Sequence, residues 1–279
     1  PPPTAPITPV QENHLVPIPG GSVAVEWSRP AGTKAGAPVL VFLHEGLGCI
    51  SMWKDFPAAL ATATGCPALT FDRLGHGKSS PAPGPATESR DVNFFQTEAF
   101  DVLPAVLGGA GIASNDAVLI GHSDGGTIAL LHAGKYPVRA VITEAAHVFV
   151  DDISVAGLAA ARKAWRETDL ERRLARHHGA NTGAMFGAWS SMWSADWFRD
   201  WNIEGALPDV TCPVLAIQGE DDEYGTMAQL DAIARGVAGP VETLRVPNCG
   251  HAPHVQARAA VEAAFVGFID ALDQYETPH

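Results

Sequence analysis

Short apolar runs rich in β-branched and aromatic residues recur at residues 23–27, 39–43, 68–71, 117–120, 140–143, 214–217 and 242–246. Each is only four or five residues long and reads as a strand. Most are separated by stretches with helical periodicity, at 52–63, 94–107, 125–135, 226–237 and 255–272. Strand–helix alternation of this kind predicts an α/β fold with a mostly parallel sheet flanked by helices on both faces. The alternation fails once, between residues 144 and 211, where a long stretch reads as helical and carries no strand. That stretch is expected to be a helical cap inserted after a strand. Residues 1–13 are proline-rich and aperiodic, which predicts an extended N-terminal arm. The expected organisation is therefore an arm at 1–13, a core formed by 14–146 and 209–279, and a cap insertion at 147–208.

Composition narrows the functional classes. With 46% hydrophobic and 18% charged residues, the 279-residue chain can bury a sizeable core. Lys and Arg number 18 against 31 Asp and Glu, a net charge of −13, the wrong sign for neutralising phosphates. Nucleic acid and anionic membrane surfaces are thus unexpected partners, and a small-molecule substrate is the expected one. The longest apolar runs, such as 37–43, fall far short of the roughly 18 residues that span a bilayer. No basic region followed by an apolar stretch is legible at the N-terminus. Cys49, Cys66, Cys212 and Cys249 stand far apart without a Cys-x-x-Cys pair, which argues against a zinc site and fits reduced thiols of a cytoplasmic protein.

Residues 121–125 read Gly-His-Ser-Asp-Gly, a G-x-S-x-G pattern that follows the expected strand 117–120 and opens the expected helix from 125. Small residues at both ends let the chain turn sharply, exposing the Ser123 hydroxyl at the end of the sheet. Serine is a weak nucleophile and needs a base that is itself oriented by an acid. The strand 214–217 runs into the carboxylate cluster Glu220, Asp221, Asp222, Glu223, and the strand 242–246 leads to His251. Nucleophile, acid and base then follow one another in chain order. His122, beside the serine, is expected to pack into the turn, and His14, His132, His177, His178 and His279 are read as solvated or structural.

These segments, with His44-Glu45-Gly46-Leu47-Gly48 and the run Asp72-Arg73-Leu74-Gly75-His76-Gly77-Lys78-Ser79, resemble the α/β-hydrolase superfamily over roughly residues 23–272. The resemblance implies an α/β-hydrolase fold with Ser123, Asp222 and His251 as a catalytic triad. Asp222 is favoured because it stands three residues after Gly219, the strand-ending glycine; Asp221, Glu223 and Glu144 are the alternatives. It also implies an oxyanion hole made by the backbone N–H groups of Asp124 and Gly46. Glu45 departs from the pattern, since glycine commonly stands there. Either its carboxylate turns back to pair with a cation such as Arg73, or it enters the pocket to bind a polar or cationic substrate group. The glycines of 72–79 match neither a P-loop nor a dinucleotide fingerprint, so no cofactor or metal is expected.

In the insertion, Trp189, Trp193, Trp197 and Trp201 recur at i, i+4 spacing, which keeps them broadly on one helical face. Such a stripe either packs the cap onto the core or lines an apolar substrate pocket, with Phe149 a similar candidate. The expected activity is that of a serine hydrolase, most readily a carboxylesterase acting through an acyl-enzyme on a small, neutral to weakly polar ester. Thioester, lactone, amide or carbon–carbon (diketone) hydrolysis on the same triad, and a hydrolase-like ligand receptor, are the alternatives.

Overall fold

The computed structural model describes residues 10–34, 36–84 and 90–275. Eight strands form one sheet in the order β1-β2-β4-β3-β5-β6-β7-β8. They are β1 (Val10–Ile18), β2 (Gly21–Arg29), β3 (Val39–Leu43), β4 (Ala68–Phe71), β5 (Ala117–His122), β6 (Ala140–Glu144), β7 (Val214–Gly219) and β8 (Val241–Val246). From β4 to β8 all pairings are parallel, whereas β1 and β2 join one edge antiparallel. The α/β-hydrolase architecture expected above is therefore the observed one.

Alternation along the central strands feeds two cores. Leu40 and Phe42 of β3 face one side with Val118 and Ile120 of β5, while Val41, Leu43 and Leu119 face the other. The first side is covered by the helices Phe56–Thr64 and Arg258–Asp270 through Phe56, Leu60, Val261 and Phe265. The second is covered by Phe94–Thr97 and its continuation Leu103–Gly109, by Asp124–Lys135 and by Met227–Gly236.

The first element corrects the expected arm. Residues 1–9 lie outside the described residues, but residues 10–13 belong to β1, whose nine residues pair with β2. All but Val16 and Ile18 of that strand are exposed. An edge strand with polar residues on its outer side needs no apolar alternation.

Between β6 and β7 the chain forms the helices Asp152–Glu167, Leu170–His178 and Thr182–Trp193, then short 3₁₀ turns. The two ends of this segment are pinned together by a bridge between Phe149 and Asn202 and by the Ile203 N–H donating to the Val148 carbonyl at 2.7 Å. The single tryptophan-bearing helix read from the spacing ends at Trp193. Ser194 caps it, its hydroxyl bonding back to the Ser190 carbonyl at 2.7 Å, so Trp197 and Trp201 lie beyond on irregular chain. Among the described residues no helix is long and apolar enough to cross a membrane.

Candidate active site

Ser123 stands between β5 and the helix Asp124–Lys135 with φ 53° and ψ −117°, a conformation that L residues rarely adopt. The turn is held by the Ser123 N–H donating to the Glu144 carbonyl at 2.8 Å and by the Gly126 N–H donating to the Ser123 carbonyl at 2.9 Å. Glycine is required on both sides. A Cβ on Gly121 would lie 2.3 Å from the Gly125 carbonyl oxygen, and one on Gly125 would lie 2.0 Å from the Leu43 carbonyl oxygen. The sharp turn thus follows from the close approach of three backbone segments.

Asp222 and His251 come from the loops after β7 and β8. His251 Nδ1 lies 2.9 Å from each oxygen of the Asp222 carboxylate. The same carboxylate accepts from Gln218 Nε2 at 2.6 Å, from the Tyr224 N–H at 2.8 Å and from the Gly225 N–H at 3.3 Å. Burial alone would raise the Asp222 pKa, but the His251 bond and charge and these donors hold it below the usual carboxylate range. Among the alternative acids, Asp221 is exposed, Glu223 accepts from the His251 backbone N–H at 3.2 Å, and Glu144 is buried against His254 Nδ1 at 2.6 Å. Asp222 is therefore the carboxylate on the His251 ring. Its other ring nitrogen, Nε2, has no hydrogen-bond partner among the described residues.

Ser123 and His251 line one cavity of about 300 Å³ with Glu45, Gly46, His122 and Asp124. Leu158, Leu170, Leu174, Trp189 and Trp193 of the helices between β6 and β7 form its apolar wall, with Leu47 and Met52. Its lining includes neither Lys nor Arg. A larger cavity of about 520 Å³ borders the buried Arg73 and Arg90 and contains none of Ser123, Asp222 and His251. The smaller one is the candidate site because it holds the serine and the histidine.

Four expectations need correction. Phe149 is half-buried in a separate surface depression with Arg199 and Asn202, and Trp197 is 49% exposed; neither lines the cavity. Trp201, by contrast, follows the packing alternative: it stacks on Phe198 and packs on Phe95 with ring centroids 5.0 Å apart. The Glu45 carboxylate does not meet Arg73. It lies 3.5 Å from His122 Nδ1, while Arg73 Nη2 donates to the Glu45 backbone carbonyl at 2.8 Å. His122 does not simply fill the turn either, since its Nε2 donates to the His251 carbonyl at 2.6 Å and its ring lines the cavity. Side-chain direction at the end of a strand is what sequence spacing leaves open there.

Among the described residues no cluster of three or more His, Cys, Asp and Glu could hold a metal ion. Cys49, Cys66, Cys212 and Cys249 are free thiols.

Residues 40–264 match the model of the alpha/beta hydrolase family. No curated protein matches the chain. Among solved structures, the proline iminopeptidase of Mycobacterium smegmatis is 22% identical with a TM-score of 0.71, covering 95% of this chain and 100% of its own. The enol-lactonase of Burkholderia xenovorans LB400 is 18% identical with a TM-score of 0.70, covering 92% and 100%. An esterase of Exiguobacterium antarcticum is 17% identical with a TM-score of 0.70, covering 93% and 100%. At these identities the likeness is one of fold.

Proposed function

Because the chain belongs to the alpha/beta hydrolase family, we propose that it is a serine hydrolase that cleaves carboxylic esters of small, neutral to weakly polar molecules through an acyl-enzyme. The observation that carries this reading is the Asp222 carboxylate on His251 Nδ1, which leaves Nε2 as the free nitrogen of a ring lining the cavity of Ser123. In this reading Nε2 takes the Ser123 proton as the hydroxyl attacks the acyl carbonyl, then passes it to the leaving alkoxide. Asp222 fixes the tautomer and balances the imidazolium. The developing oxyanion is met by the N–H of Asp124, at the open N-terminus of a helix, and by that of Gly46. Water, activated by the same histidine, then releases the acid.

Substrate class follows from the wall. Leucines and two tryptophans favour an apolar group, and a lining with neither Lys nor Arg offers no permanent cation to hold an anionic one. Turnover of p-nitrophenyl esters of increasing chain length, alongside thioesters, lactones and vinylogous diketones, by wild type and Ser123→Ala tests the proposal. Ester turnover lost in the variant supports it. Turnover of a different class, or of none, refutes the ester assignment.

A further inference from the structure

Glu45 and His122 line the cavity, and acyl transfer as written above uses neither. Their geometry is specific. His122 Nε2 lies 2.6 Å from the His251 carbonyl oxygen. A carbonyl only accepts, so Nε2 carries a proton. A neutral ring protonated there would present a lone pair at Nδ1 to the Glu45 carboxylate, 3.5 Å away, and the two would repel. The arrangement is favourable when Nδ1 is protonated too, which makes the pair an imidazolium and a carboxylate.

The pair connects two loops and the end of a strand. Glu45 comes from the loop after β3, His122 ends β5 immediately before Ser123, and His251 comes from the loop after β8. Space for the carboxylate is provided by Gly48, where a Cβ would lie 2.0 Å from Glu45 Oε2. The other titratable groups around His122 are the His251 and His254 rings, each with its centroid 5.1 Å away, and Glu144, which is itself paired with His254 at 2.6 Å. The Trp53 ring packs edge-on against His122, with centroids 6.2 Å apart. Burial alone would lower the His122 pKa, but Glu45 beside it pushes the imidazole up to about 9. Burial would raise that of Glu45, and His122 brings it down to about 2.

We propose that the Glu45–His122 ion pair is a positioning latch: Glu45 keeps His122 an imidazolium, and the imidazolium grips the His251 carbonyl, setting the catalytic ring against Ser123. A cationic donor makes that grip a charge-assisted hydrogen bond. Both members are positioning residues that act through the His251 loop. The proposal rests on the serine-hydrolase reading, since it assigns them a task in that reaction.

The experiment combines nitrogen-15 NMR of the histidine rings with steady-state kinetics on the full chain, for wild type, Glu45→Gln and Gly48→Ala. Gly48→Ala displaces the carboxylate without changing either partner. Wild-type His122 is expected to be an imidazolium at pH 8, and neutral in both variants. Misplacing the base slightly is expected to lower kcat for p-nitrophenyl acetate about tenfold, with KM within about twofold. The wild-type kcat falls as pH rises through about 9, where His122 loses its proton; this limb is absent from Glu45→Gln, whose amide accommodates the neutral ring. A neutral wild-type His122 at pH 8 overturns the latch without need of any variant. Variants that lose melting temperature but keep the wild-type kcat and pH profile also overturn it. Labelling of Ser123 by a fluorophosphonate reports on the serine reading separately: an unlabelled wild type fails that reading, and the latch with it, whatever the His122 charge.

Discussion

Arg73 Nη2 donates to the carbonyl oxygen of Glu45 at 2.8 Å. That carbonyl belongs to the same peptide unit as the Gly46 N–H, so this bond, with those from His44 Nδ1 at 2.7 Å and the Gly48 N–H at 3.1 Å, fixes the direction in which this proposed oxyanion donor points. The same guanidinium stands 3.8 Å from the carboxylate of Asp124, whose backbone N–H is the other donor. The Arg73 backbone N–H donates in turn to His44 Nε2 at 3.1 Å, tying the loop after β4 to the loop after β3.

One fully buried arginine thus bears on both donors, and Arg73→Met is expected to lower kcat by roughly tenfold to a hundredfold, less than outright removal of a donor. Stability should fall by on the order of 3 kcal/mol, because Asp124 keeps only Arg90, at 3.7 Å. Kinetics at a temperature well below the melting point of the variant separate the two effects. An unchanged kcat with a raised KM would contradict the oxyanion role.

The proposed triad makes unequal demands on neighbouring carboxylates. Ser123→Ala should abolish turnover, by about 10⁶ in kcat, and leave the fold intact. Asp222→Asn should cost on the order of 10⁴ through the wrong histidine tautomer. Asp221→Asn, at an exposed side chain adjacent in sequence, should stay close to wild type. Turnover of p-nitrophenyl butyrate by the three purified variants checks the order, and equal losses at 221 and 222 would remove Asp222 from its role.

How far these features are legible without coordinates depends on how local their causes are. β3 and β4 are buried on both faces, so their apolar runs mark both strands to the residue. β1 escapes notice because an edge strand tolerates polar side chains. The Ser123 elbow is legible because one of its glycines, Gly121, is demanded by a backbone contact close in sequence, with Gly125, although Gly125 itself is demanded by the distant Leu43 carbonyl. His122 and Glu45 are different. Their partners come from loops more than 70 residues apart in the chain, and no period in the sequence records which way a side chain turns at the end of a strand. The tryptophan spacing misleads for a related reason, since i, i+4 recurrence carries on past Ser194, where the helix itself stops.

The corrected positions of the tryptophans yield a selectivity test with an internal control. Trp189 and Trp193 line the cavity, whereas Trp197 is solvent-exposed. Truncating either of the first two to Ala should weaken kcat/KM for bulky esters by about 1–3 kcal/mol and spare acetate esters. Trp197→Ala should leave the ratio of bulky to acetate turnover unchanged. Equal ratios across all three variants would take the tryptophans out of substrate recognition.

The helices between β6 and β7 are fastened where the chain enters them. Asp151 caps the helix Asp152–Glu167, with Oδ1 accepting from the Ser154 N–H at 3.0 Å and its hydroxyl at 2.7 Å. Oδ2 accepts from the Thr226 N–H and hydroxyl, each at 3.0 Å, and from Gln229 Nε2 at 3.3 Å. One carboxylate thus joins the first turn of that helix to the segment after β7. Burial alone would raise its pKa, but these donors hold it below the ordinary aspartate value of 3.8. A carboxyl depressed in the folded state contributes stability that is complete above the unfolded value and is lost as pH falls through the folded one. Asp151→Ala should therefore cost about 1–2 kcal/mol at pH 7, in the range of a lost helix cap with added hydrogen bonds, and progressively less below pH 3.8. Urea unfolding of wild type and variant at pH 7, 4 and 3 measures the difference at each pH. A constant gap down to pH 3 would mean that Asp151 fastens this helix by something other than its charge.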